Sequence, residues 1–80
     1  MSFPAHFQGV SFRDACHGRE AYISGHRLAV WEVAEMRREF GAVSAVAEHL
    51  GWPVLMVKRA LKYAEAFPAE IKSAAEAETL

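Results

Sequence analysis

Gly51 and Pro53, one residue apart, separate two stretches of helical periodicity and dictate how those stretches meet. Upstream, Val43, Val46, Ala47 and Leu50 recur at helical spacing, which predicts a short helix from about Ser44 to Leu50. Downstream, Val54, Val57, Leu61 and Ala64 repeat the pattern to about Ala66 and are expected to face inward. Glycine stops the first helix because it takes positive φ without a Cβ clash. Proline opens the second because its missing N–H would have no partner in the first turn anyway. Ala47, four residues before the turn, is small enough for the second helix to cross close by. Residues 43–62, VSAVAEHLGWPVLMVKRALK, therefore predict a helix-turn-helix, whose second helix is the one that enters a DNA major groove.

Charge on that second helix is one-sided. At 100° per residue, Lys58, Arg59 and Lys62 fall within about 100° of one another, roughly opposite the apolar stripe. No acid occurs between Glu48 and Glu65, so this face is basic without internal neutralisation. Such a face suits contacts with the phosphates of double-stranded DNA. The competing expectation is an ordinary solvated face. Trp52, at the turn, is expected to cap the core between the two helices, or to meet a partner.

Ahead of this unit, Val30, Val33, Ala34 and Phe40 share one stripe and Glu32, Glu35 and Glu39 the other, predicting a first helix from about Ala29 that Gly41 ends. Arg37 falls on the apolar side and must snorkel or find a partner. Trp31 lies on the outer flank, either as an interface anchor or packed on the N-terminal strands. Residues 1–28 hold the strand-like signals: Val10 and Phe12 alternate with polar neighbours, and Ala21–Ile23, Ser24-Gly25, then His26–Leu28 reads as a short hairpin. After Ala66, Pro68 kinks the helix or starts a last short one through Ile71. Residues 67–80 form an acidic tail, since 65–80 carry Glu65, Glu70, Glu76 and Glu78 against Lys72 alone. The expected architecture is one mainly α domain over 1–80, of winged-helix-like or helix-turn-helix type. It has an N-terminal strand region over 1–28 with a short hairpin, and a helical core over 29–66.

Eighty residues bury a modest core, yet 52% of them are apolar, including five Phe and two Trp. Small domains often complete their cores by associating, so a homodimer is expected. A net charge of −1 favours neither nucleic acid nor an anionic membrane for the molecule as a whole, and leaves the body mildly basic against an acidic end. Cys16 is the lone cysteine, which fits a reducing compartment. No apolar run approaches the roughly 18 residues of a membrane span, and the N-terminus lacks the basic start and apolar run of a secretion signal. These features predict a cytoplasmic protein with no membrane contact.

Catalytic and metal-binding constellations do not assemble. Cys16 and His17 adjoin, but neighbouring residues rarely aim at one metal, and His6, His26 and His49 show no spacing that would add ligands. No phosphate-cradling glycine loop or Ser-His-Asp arrangement is present. The expectation is a binding module without cofactor or metal, and not an enzyme.

Two segments, GREAYISGHRLAVWEV and VKRALKYAEAFPAEI, resemble the domain-of-unknown-function family four hundred and thirty-three, short prokaryotic proteins that include VapB-like antitoxins encoded beside PIN-domain ribonuclease toxins. The resemblance spans residues 16–71. It rests on Gly18, Ile23, Gly25, Arg27 and Val30, on the Val57, Ala60, Leu61, Tyr63, Ala64 ending, and on Pro68, Glu70 and Ile71. His26 stands where the family usually has Thr, Ala29 where it has Pro, and the Gly51-Trp52-Pro53 turn replaces its Tyr-Pro. The resemblance implies a homodimeric fold of this type acting in transcription regulation or toxin neutralisation, possible partners being the promoter DNA of its own gene and a PIN-domain toxin. It also implies that Arg27 is held inside the Gly25 turn by a carboxylate or by backbone carbonyls.

From these readings Lys58, Arg59 and Lys62 are the candidate DNA-binding residues. Gly25, Arg27 and Gly51 are the structural turn residues, and Trp31, Phe67 and Ile71 the partner interface. The alternative is a protein-interaction module of the same fold without a DNA role.

Overall fold

The computed structural model describes residues 8–15 and 18–79; Cys16, His17 and His6 lie outside them. The described residues form a mainly helical domain with a two-stranded antiparallel hairpin at its N-terminal end. Strands β1 (Val10–Ala15) and β2 (Gly18–Ile23) precede helices α1 (Val30–Phe40), α2 (Val43–Leu50), α3 (Val54–Ala66) and α4 (Pro68–Thr79).

The hairpin register sets Val10 opposite Ile23 and Phe12 opposite Ala21, so one face is apolar. That face packs into the core, and the Phe12 and Tyr63 rings lie 5.6 Å apart at 57°. On the other face Arg13 pairs with the buried Glu20 at 3.0 Å and lies over the Tyr22 ring. The hairpin differs from the sequence expectation. Residues 21–23 pair with 10–12, whereas the expected partner segment, 26–28, forms no strand, and a single bridge, Tyr22 to Ala29, lies just beyond it. The reason is polar traffic at the loop. The Ser24 N–H donates to the Gly9 carbonyl, while the Ile23 N–H to Leu28 carbonyl bond closes the loop just before α1 starts at Val30, which leaves the expected segment no length to run on as a strand.

Helix α1 starts where the Glu32 carboxylate accepts the Ala29 N–H at 2.8 Å, half of a capping box. It ends at Gly41, whose φ is +82° and whose N–H reaches the Arg37 carbonyl. Arg37 itself is exposed. The core is Val30 and Val33 of α1, Val46 and Ala47 of α2, Val57, Ala60 and Tyr63 of α3, and Ala21 and Ile23 of β2. Each fully buried valine contributes about 1.5–3 kcal/mol from removal of apolar surface.

Two expectations about burial and one about the C-terminal segment need correction. Phe40 is 39% exposed and stacks edge-on against His49, because it falls in the last turn of α1, past the core. Val54 is also 39% exposed, since the buried stripe of α3 runs Val57, Ala60, Tyr63 and is rotated away from the expected one, leaving Leu61 and Ala64 half-buried. The residues expected to form an acidic tail continue as α4 as far as Thr79, well past Ile71. Helix α4 packs along α1 and buries Ala74.

Candidate functional site

Helices α2 and α3 are joined by three residues, and both sides of the joint are explained locally. Gly51 adopts φ +72°, its N–H donates to the Glu48 carbonyl, and the Trp52 N–H reaches back to that of Ala47. Pro53 is extended at φ −62°, ψ 145° and stands as the N-cap of α3, one position before the helix proper. Trp52 is half-buried against the core, as expected for a capping side chain, and its ring also meets that of His26 at 4.7 Å. The loop after β2 thus rests on the α2–α3 turn.

The basic residues of α3 separate into two kinds. Lys58 and Lys62 are exposed. Arg59 is half-buried, and its aliphatic stem lies against the Gly9 turn, where an added Cβ would meet Arg59 Cδ at 3.5 Å. Packing of the stem limits where the Arg59 guanidinium can reach. Ahead of the lysines stand two exposed apolar residues that the sequence reading did not single out as functional: Val54, and Leu55 at 56% exposure. Leu55 precedes Lys58, Arg59 and Lys62 by three, four and seven residues, which places it on their face of the helix. That spacing was visible in the sequence; the exposure of the residue was not.

A second feature lies on the opposite side of α3. Helices α1 and α4 enclose an open groove of about 720 Å³ whose apolar lining includes Trp31, Ala34, Ala64 and Ile71. Its rim mixes signs, with Glu35, Glu39 and Glu76 beside Arg38 and Lys72. The Arg38–Glu35 pair, at 3.5 Å, is exposed, and such pairs contribute little to stability.

The expected partner-interface residues therefore divide. Trp31 and Ile71 line this groove, and both are half-buried. Phe67 does not line it. Its ring packs 4.8 Å from that of Tyr63, at the break between α3 and α4, where its N–H donates to the Tyr63 carbonyl. The placement is intramolecular because α4 folds back at Phe67 and seals it against the core.

Of the expected turn residues, Gly25 has φ +80° and Gly51 φ +72°. Arg27 differs from what the family resemblance implies. It is exposed, with no hydrogen bond or ion pair among the described residues, because the loop is closed by its own backbone and by the Ser11–Ser24 hydroxyl contact at 2.6 Å. Among the described residues, no helix is long and apolar enough to cross a membrane.

Comparison of the chain with known proteins gives no match, whether to family models, among curated proteins or among solved structures.

Proposed function

We propose that this protein is a helix-turn-helix module that binds double-stranded DNA through the outer face of α3. The observation that carries the reading is the exposed pair Lys58 and Lys62 on a helix that follows a glycine turn and carries no acid over residues 54–64. Each lysine can neutralise one phosphate and release its counterions, which makes binding salt-dependent. Arg59 adds charge at the edge nearest the hairpin. The role is recognition and not catalysis, and the resemblance to antitoxins adds a regulatory setting in which a homodimer occupies the promoter of its own gene and a PIN-domain toxin is the protein partner.

The test is a filter-binding series on that promoter between about 50 and 200 mM salt. The parent should show a steep salt dependence, and Lys58→Ala and Lys62→Ala should each flatten the slope by about one unit while weakening all duplexes alike. Absence of binding by the parent at low salt would overturn the reading, as would unchanged affinity in a Lys58, Arg59, Lys62 triple-alanine variant.

The groove between α1 and α4 favours a second reading, a protein-interaction module. Its apolar lining and two-signed rim fit a helix from a partner or from a second copy of the chain.

A further inference from the structure

Leu55 is the most exposed large apolar side chain among the described residues, and it stands in the first turn of a helix whose outward side next carries Lys58 and Lys62, with Glu65 following only in the last turn. From the 1.5 Å rise per residue, Lys58 and Lys62 lie about 4.5 and 10.5 Å further along the axis. Val54, 39% exposed, widens the apolar spot on its flank. An apolar tip followed by two free cations is complementary to a polyanion that carries an exposed apolar group between its charged strands. Among duplex nucleic acids one group meets that description. The 5-methyl of thymine projects into the major groove of B-form DNA, a groove about 12 Å wide that admits a helix. RNA lacks that methyl, and the deep, narrow major groove of its A-form duplex is closed to side chains.

We infer that Leu55, with Val54 beside it, is the base-reading contact of α3 and selects thymine through its 5-methyl group, while Lys58 and Lys62 hold the flanking phosphates. The inference rests on the DNA-binding reading above and adds to it a chemical preference that phosphate contacts cannot supply, since they carry no sequence information. It also makes DNA, and not RNA, the cognate polymer. Substitution at Leu55 leaves the core untouched because the side chain is outside it.

The experiment uses the full chain and two alternating duplexes of 20 base pairs, one of dA and dT, the other of dA and dU. The two share phosphates and major-groove hydrogen-bonding groups and differ by the methyl. The parent should bind the thymine duplex about fourfold more tightly per methyl buried, the factor expected for removing one such group from water. Leu55→Ala should lose that preference and bind both duplexes as the parent binds the uracil one, with an unchanged salt slope. Lys62→Ala should instead weaken both duplexes equally and keep the preference. Equal binding of both duplexes by the parent, with the salt slope intact, would overturn the thymine assignment and leave the DNA reading standing. Failure to bind either duplex at low salt would overturn both.

Discussion

The phenol of Tyr63 donates a 2.7 Å hydrogen bond to Oε2 of Glu70, tying α3 to the start of α4 across the break at Phe67. Tyr63 has no exposed surface, so its hydroxyl must be satisfied inside the fold, and Glu70 supplies the acceptor. This bond, with the stacked Phe67 ring, turns what the charge pattern presents as a tail into a packed helix that walls the groove beside α1.

Tyr63→Phe keeps the ring and removes the donor. Stability should fall by about 1–2 kcal/mol, read from the midpoint of a urea titration. Tyr63→Ala also removes the ring from the core and should cost about 3–5 kcal/mol, as large aromatic truncations do. Equal losses in the two variants would show that the hydroxyl, not the packing, governs this joint.

Gly51→Ala tests the turn. Nothing lies within 4 Å of the added Cβ, so the cost is conformational alone, about 1–2 kcal/mol for holding an L-residue at φ +72°. Gly51→Asn should cost less, because asparagine tolerates this region. Thermal unfolding of both variants measures the difference, and an alanine variant as stable as the parent would mean that the α2–α3 turn has rearranged.

Arg27→Ala should leave stability within about 0.5 kcal/mol of the parent, the usual range for a surface position without partners. A drop of several degrees in the melting temperature would instead place Arg27 in a structural role, as the family resemblance implies.

Self-association is read by sedimentation. If a second copy covers the groove between α1 and α4, micromolar protein should sediment near twice the 8.9 kDa chain mass, and Trp31→Ala should shift it toward the monomer. A parent that sediments as a clean monomer would assign the groove to another partner or to none.

Local chemistry that acts within a few residues was legible in the chain. Gly51 with Pro53 announced the joint between two helices, Gly41 the end of α1, and Val46, Ala47 and Val57 residues of the surfaces that meet, because backbone conformation and helical period follow from residue type alone. The basic side of α3 was equally readable, since charge position on a helix needs only the 100° step. Tertiary packing decided which way each helix was turned. Tyr63 looks amphipathic in the sequence, and only the arrival of Phe12 from the distant hairpin and of Glu70 from the folded-back α4 makes it the largest wholly buried side chain among the described residues and turns the α3 stripe toward it. That rotation leaves Val54 and Leu55 at the surface, although isolated apolar residues on a helix carry no mark that separates core from contact. Pairing of β2 with β1, the docking of α4 and the half-burial of Arg59 against Gly9 likewise depend on segments that meet only once the chain has folded. The reason is physical: a residue's propensity is its own, but its burial belongs to whatever the rest of the chain brings against it.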